Sequence, residues 1–297
     1  MRNSFILLLA IVVSFSMLKS TGLMGQDTQI ADTVAMYKVE LIDGSTFVGH
    51  ILQQDSLQVV MQTSVLSRLE IPRTKIKRLE EINTSQLKKG EYWFDNPHSS
   101  RYLIGPSAFN LKKGEGYYQN TWIFLNSFNV GLTNHISIGG GLEFLSTFGS
   151  LTQGDFRPIF FLTPKVSFQV SERFHAGGGI LYIHVPNNDA NGGICYGMAT
   201  YGNTNSNITA GLGWFFSDFS FNSRPVVTLS GMKRISRKVG LVSENWIVPF
   251  NGYTGIFSYG IRFFGEKIAV DLAFINNRDI FEFLFIGIPY VDFVVKF

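Results

Sequence analysis

Apolar and polar residues alternate along most of the chain after position 101. The last segment illustrates the pattern, because successive side chains of a strand point to opposite faces. One face carries Val291, Phe293, Val295 and Phe297, and the other carries Tyr290, Asp292, Val294 and Lys296. An alternation of period two with one apolar face predicts a β-strand that is half in an apolar environment.

The same pattern recurs in about twelve segments, each roughly ten residues long and followed by turn residues, as in the strands of membrane-spanning barrels. The predicted segments are residues 102–110, 116–130, 135–147, 158–170, 174–185, 193–202, 207–217, 226–235, 239–249, 255–264, 268–275 and 286–297. Short and longer connections alternate between them, with the short turns at the end where the chain terminates. The pattern predicts an all-β fold, an antiparallel up-and-down barrel over residues 101–297. A soluble β-sandwich also alternates and is the competing interpretation.

The first 25 residues have the character of a secretory signal peptide. Arg2 precedes an apolar run over residues 5–18, and small residues follow near position 20. The apolar run is too short to span a membrane comfortably as a helix. We therefore predict an exported protein.

Residues 36–82 predict a separate small β-domain, in which the pair Asp43-Gly44 marks a hairpin between two alternating runs. The residues Val39, Leu41, Gly44, Gly49, Ile51 and Asp55 resemble the first motif of the Sm-like fold, and residues 71–79 resemble its second. The resemblance implies a small SH3-like barrel and carries no expectation of RNA binding in an exported protein. Residues 83–100 are interpreted as a linker, because turn residues dominate there.

Composition narrows the function classes. Charged residues make up 16% of the chain and the net charge of +3 is scattered, so nothing favours a nucleic-acid partner. The single Cys195 offers neither an internal disulfide nor a metal-ligand spacing, and no cofactor is expected. No Ser/His/acid spacing is legible, which leaves an enzyme as the third hypothesis.

The terminal Phe297 and the alternation before it resemble the Gram-negative outer-membrane β-barrel proteins. That resemblance implies an outer-membrane location with lipid around the barrel, and a barrel-assembly machinery that reads the end signal Phe293 and Phe297. Short turns of such barrels face the periplasm, and here they fall on the side where both chain ends emerge, so residues 36–82 are expected in the periplasm, where they could meet a periplasmic partner. An aromatic girdle at the external membrane surface is predicted from Trp122, Trp214, Trp246, Tyr117 and Tyr253.

Several charged residues have the parity of the barrel interior, where charge is tolerated. They are Glu143, Lys165, Glu244, Arg262, Asp271, Asp292 and Lys296. A two-residue turn would place Arg262 opposite Ala269 and diagonal to Asp271, close enough for a charge pair. Two functions remain open: a narrow, charge-lined channel for a small solute, or a plugged barrel that anchors a periplasmic module or presents loops for recognition.

Overall fold

The computed structural model describes residues 35–82, 86–88, 91–152, 154, 157–186, 190–218, 220–250 and 252–297. The chain forms two compact units, which divide between Ile82 and Asn83. The predicted signal peptide, residues 1–25, lies outside the described residues.

The first unit is a five-stranded antiparallel sheet. Its strands are β1 (Met36–Leu41), β2 (Thr46–Gln54), β3 (Gln58–Thr63), β4 (Leu69–Pro72) and β5 (Ile76–Glu81), in the spatial order β4-β3-β2-β1-β5. Val39, Met61 and Ile71 form its core. The resemblance of this sheet to the Sm-like fold stays a prediction.

Close packing and turn chemistry shape the first unit. A Cβ atom at Gly49 would lie 1.9 Å from the carbonyl oxygen of Gln62, so only glycine allows β2 to approach β3 there. The backbone N–H groups of Gln58 and Leu57 donate to the Asp55 carboxylate in the β2–β3 turn, and they lower the pKa of that carboxyl. The turns are therefore fixed by local hydrogen bonds.

The second unit contains a pair of two-residue antiparallel strands, β6 (Leu87–Lys88) and β7 (Glu91–Tyr92), and a closed barrel. The barrel strands are β8 (Gly116–Thr121), β9 (Leu125–Gly131), β10 (Ile136–Glu143), β11 (Ile159–Leu162) with β12 (Lys165–Ser171), β13 (Phe174–Val185), β14 (Ala190–Asn203), β15 (Ser206–Ser217), β17 (Val226–Arg234), β18 (Val239–Val248), β19 (Thr254–Phe264), β20 (Ile268–Asn277) and β21 (Ile288–Lys296). A short strand, β16 (Ser220–Phe221), extends only the end of β15.

The barrel closes between the first and the last strand. β21 pairs with β8, and the backbone groups of Gly116 and Phe297 exchange hydrogen bonds of 3.3 and 2.9 Å. β11 and β12 count as one interrupted strand, because both lie between β10 and β13. The predicted all-β fold with a closed antiparallel barrel of twelve strands is thereby confirmed.

Two of the predicted segments are wrong in their individual assignment. Residues 102–110 contain no barrel strand, and residues 116–130 form two strands, β8 and β9, joined by a turn at 122–124. The two errors cancel in the strand count. Residues 91–100, predicted as part of a linker, are largely buried against the barrel rather than exposed.

The connections alternate in length around the barrel, as the sequence predicts. Tight turns at 132–135, 172–173, 204–205, 235–238 and 265–267 lie at the end that holds Phe297. Most longer connections lie at the opposite end, and two of them contain helices, α1 (Phe144–Thr152) and α2 (Arg278–Phe283). No helix in the described ranges is long and apolar enough to cross a membrane.

The turn between β8 and β9 is strained. Trp122 and Ile123 adopt φ angles of 51° and 73°, a left-handed conformation that is unfavourable for bulky and β-branched residues. Ile123 is 85% exposed, so its side chain contributes little packing.

We predict that Ile123→Gly stabilises the barrel by about 1 kcal/mol, because glycine adopts the left-handed region without a steric penalty. The measurement is the urea midpoint of unfolding in detergent micelles. Ile123→Val serves as the matched control and leaves the midpoint unchanged, since valine keeps the branched Cβ. A lower midpoint for the glycine variant would contradict the assignment of strain to this residue.

Candidate functional site

The two faces of the barrel strands differ in polarity. Outward positions carry large apolar side chains, which form an exposed band around the barrel. The band includes Phe128, Ile138, Val166, Phe168, Ile208, Leu212, Leu229, Leu241, Phe257, Ile261, Leu272 and Val291. Inward positions carry the charged and hydroxyl groups instead. This arrangement is the reverse of a soluble protein and defines a barrel whose exterior faces lipid.

The structure places the seven predicted interior charges on inward positions. Lys165, Glu244, Arg262, Asp271 and Asp292 are buried inside the barrel. Two others lie at its rims. Glu143 accepts the backbone N–H groups of Leu145 and Ser146 at the start of α1, and Lys296 donates to Glu115 at 3.1 Å.

Residues 94–111, here called the plug, fill the half of the barrel that carries the tight turns. Its buried residues include Phe94, Asn96, His98, Tyr102, Leu103, Ala108, Phe109 and Leu111. The plug folds back on itself, because the N–H of Tyr102 donates to the carbonyl of Gly105 and the N–H of Ser107 to that of Ser100. The bend at Gly105-Pro106 therefore lies inside the barrel.

Glu244 on β18 holds the tip of the plug. Its carboxylate accepts the successive backbone N–H groups of Leu103, Ile104 and Gly105 at 2.9–3.0 Å, and the indole N–H of Trp246 at 2.7 Å. Consecutive amides that converge on one anion form a strong, charge-assisted site. The buried charge is satisfied mainly by the plug backbone.

Arg262 on β19 holds the middle of the plug. Its Nε and one terminal nitrogen donate to the two carboxylate oxygens of Asp271, both at 2.7 Å, and the same guanidinium donates to the carbonyls of His98, Arg101 and Tyr102. Asp271 lies directly opposite Arg262 on β20. The prediction that Arg262 lies opposite Ala269 is therefore wrong, but the predicted charge pair of Arg262 and Asp271 is present.

Lys165 on β12 binds the plug on both sides of its bend. Its Nζ donates to the carbonyls of Ser100, Ser107 and Phe109 at 3.3, 3.1 and 2.6 Å. A lysine ammonium group has three donors and no acceptor, so three carbonyls satisfy it. Its charge is bound entirely by backbone dipoles.

Hydroxyl groups complete the attachment on the side of β14 and β15. The hydroxyl of Tyr102 lies 2.6 Å from both Asn207 Oδ1 and Thr209 Oγ1, and Thr209 contacts Thr200 at 2.6 Å. Thr200 in turn accepts the N–H of Ala108 at 2.8 Å. The plug is thus bound through contacts from many strands of the barrel.

One group in the described part of the chain has the composition of a metal site: His98, Asp271 and Asp292. The Nδ1 atom of His98 lies 3.9 and 4.0 Å from the two carboxylates, and neither of its ring nitrogens has a hydrogen-bond partner. Arg262 already occupies both oxygens of Asp271, and the amide of Gln119 donates to Asp292. A divalent cation would have to compete with the guanidinium, so the donor set fits a metal poorly.

A cavity of about 340 Å³ lies in the other half of the barrel, between the plug and the longer connections. The plug residues Leu103, Ile104 and Pro106 form its floor, with Arg101 beside them. Strand side chains of mostly apolar character form its wall. Sequence reasoning considered a plugged interior but missed that residues 94–111 form the plug, and it missed this cavity; the one usable signal was Gly105-Pro106 inside a supposed strand.

The predicted aromatic girdle needs correction. Trp214 and Tyr253 are exposed on the exterior near the longer connections. Tyr117 and Trp246 instead face the interior. Tyr117 lies on the same face of β8 as the residues that bind Asp292, and Trp246 lies on the same face of β18 as Glu244. Trp122 lies in the β8–β9 turn, where its indole N–H donates to the carbonyl of Pro289 at 2.8 Å.

The fold and the polarity of its two faces define a transmembrane β-barrel with an inserted N-terminal segment. Among solved structures the chain is similar to the KdgM porin in complex with disordered oligogalacturonate, with 6% identity, a TM-score of 0.43, and coverage of 61% of this chain and 96% of that one. It is also similar to the NanC porin, with 6% identity, a TM-score of 0.39, and coverage of 61% and 97%. A loop-deletion mutant of OmpT, an outer membrane protein of Vibrio cholerae, shows 10% identity, a TM-score of 0.31, and coverage of 89% and 97%. No protein-family model and no curated protein matches the sequence.

We predict that Arg262→Met destabilises the barrel by roughly 3–5 kcal/mol, since it leaves Asp271 buried without its partner and three plug carbonyls without a donor. Urea unfolding in micelles measures the loss. The double variant Arg262→Met/Asp271→Leu should recover part of it, because no unpaired charge remains. The exposed pair of Arg278 and Glu282 supplies the control: Arg278→Met changes stability by less than about 0.5 kcal/mol. An equal loss of stability in Arg262→Met and Arg278→Met would show that Arg262 does not stabilise the barrel through its buried contacts.

Proposed function

We propose that this chain is a bacterial outer-membrane barrel that is closed by its own plug. The barrel anchors the small β-sheet of residues 36–82 at the membrane. The observation that carries the proposal is the buried plug. Glu244, Arg262 and Lys165, which would otherwise line a channel, are bound to its backbone. A cavity beside the plug, near Lys165, has a volume of about 20 Å³, which is room for about one water molecule.

The membrane assignment is supported by the exposed apolar band and by closure of the barrel. A closed barrel pairs every strand edge, as the bilayer interior requires. In bacterial barrels the short turns face the periplasm. The plug enters at the end of the tight turns, where the amide of Asn96 donates to the carbonyl of Thr204 and Arg234 donates to that of Phe94. We therefore place the chain before the plug in the periplasm, where it can meet a periplasmic partner.

The C-terminal residues support a role in assembly. Phe293 faces outward on β21, and Phe297 is 64% exposed while its backbone pairs with Gly116. We propose that the barrel-assembly machinery binds these two rings before β21 pairs with β8. Pairing with β8 would then release the finished barrel into lipid.

The rival function is the narrow channel for a small solute. It requires a continuous path past the plug, whereas the plug bonds to side chains of β12, β14, β15, β18 and β19. The plugged barrel accounts for these bonds directly. The channel would need the plug to leave, at the cost of uncovering several buried charges.

Conductance in a planar lipid bilayer tests the two functions. We expect the purified wild-type protein to show no current steps, and the double variant Glu244→Ala/Lys165→Ala to show openings, because it removes two attachments of the plug. Glu143→Ala is the control, since Glu143 lies at the rim and binds α1 rather than the plug. Regular current steps of the wild-type protein would overturn the proposal.

Thiol labelling provides an independent test of plug position. In a Cys195→Ser background, we expect Ala108→Cys to react with a membrane-impermeant maleimide at least a hundredfold more slowly than Gly149→Cys. Ala108 is 1% exposed, whereas a Cβ atom at Gly149 on α1 meets open space. Both thiols should react equally after unfolding in urea. Equal reaction rates in the folded protein would show that position 108 is outside the barrel.

A further inference from the structure

The cavity above the plug differs in character from the rest of the barrel interior. Its volume of about 340 Å³ falls in the range of pockets that hold small organic molecules. The barrel wall supplies aliphatic and aromatic side chains from strands on several sides, among them Leu125, Phe161, Leu181, Ile194, Met198 and Trp246. A lining of this kind favours an apolar ligand body over a sugar, which needs many hydrogen-bond partners.

The cavity holds one cation at its floor. Arg101 belongs to the plug, and within the described residues its guanidinium has a single hydrogen bond, to Gln119 Oε1 at a long 3.4 Å. No carboxylate oxygen of the described residues lies within ion-pair distance of it; Asp292, which binds the amide of Gln119, attracts its charge only from farther away. Arginine presents five donors in a planar fork that matches a carboxylate. Donors of Arg101 therefore remain for an anion in the cavity.

Other charges near the cavity are already occupied. The carboxylate of Glu244 accepts three backbone N–H groups and the indole of Trp246, and Glu143 at the rim accepts two N–H groups of α1. Uncharged polar groups also line the cavity, among them Ser127, Thr163, Thr228 and Ser230, while the hydroxyl of Thr121 donates to Asp292. Arg101 is thus the cation of a mostly apolar lining, and it keeps charge-assisted donors without a hydrogen bond to the described residues.

We propose that this cavity binds a small apolar carboxylate, with its anionic head on Arg101 and its hydrocarbon body against the wall of the barrel. The inference rests on the proposed function in one respect, because the plug provides both the floor and the arginine. A ligand bound there would lie above the plug on the side of the longer connections. The barrel would then bind a small apolar carboxylate in addition to anchoring the sheet of residues 36–82.

Equilibrium dialysis of the full-length protein in lipid nanodiscs tests the proposal, with empty nanodiscs subtracted to remove partitioning into lipid. Three probes separate the contributions: decanoate, the neutral analogue decanol, and the polar carboxylate glucuronate. We expect saturable decanoate binding, weaker decanol binding and no glucuronate binding. Failure of decanoate to saturate, or tighter binding of glucuronate, would overturn the proposal.

Variants locate the two ends of the ligand. Arg101→Met should weaken decanoate binding at least tenfold and leave decanol binding unchanged, while Arg101→Lys retains part of the decanoate affinity. Leu181→Trp fills the cavity and should abolish binding of both probes. Arg173→Met, which removes an exposed arginine from a tight turn, is the matched control and changes neither. Unchanged decanoate binding in Arg101→Met would refute the assignment of the head group.

Conductance of the same wild-type preparation separates this inference from the proposed function. A silent barrel that fails to bind decanoate would contradict the ligand while the plug stands. A conducting barrel would contradict the plug. A silent barrel that binds decanoate in the Arg101-dependent manner supports both.

Discussion

Burial of charge inside a closed barrel is the constraint on which this structure depends. A buried ion that loses water must find partners of equal strength, and the backbone groups of neighbouring strands cannot supply them because they are already paired. The plug brings unpaired backbone groups to the same place. Its N–H groups meet Glu244, and its carbonyls meet Lys165 and Arg262. The interior charges and the plug are therefore parts of one network, and neither is stable in this form alone.

This dependence connects insertion of the plug with closure of the barrel. The plug is followed within a few residues by β8, whose partner β21 carries Asp292. The side chains of Gln119 and Thr121 on β8 donate to Asp292, while Arg101 of the plug donates to Gln119. The last pairing of strands thus completes the environment of the plug. We infer that a barrel lacking the plug would keep Asp292 satisfied at this seam but would close around Glu244 and Lys165 without their backbone partners.

The sequence predicts which face of a strand a side chain occupies, because that follows from alternation along the strand. It misses the plug and the β8–β9 turn, where the alternation does not correspond to a continuous strand. Parity places Arg262 and Asp271 inside correctly, because register can shift but the face of a strand cannot change without turning every side chain over. The same rule wrongly assigns residues 102–110 to a strand, although Gly105-Pro106 interrupts them and proline is rare within a sheet. The β8–β9 turn has no sequence signal, since Trp122 and Ile123 adopt left-handed angles without glycine. The partners of Glu244 are mostly backbone amides, which have no sequence signature either.

The position of the plug also explains why the two halves of the barrel interior differ. In the half with the tight turns, polar strand residues are matched by plug backbone, so little space is left. Beyond the tip at residues 103–105, a polar group of the wall without a partner would be costly. The wall there is mostly apolar, with Leu181, Ile194 and Met198. Arg101 lies at the boundary between the halves, where it has a polar neighbour on one side and an apolar space on the other. A molecule with one charged end and one apolar end matches that boundary.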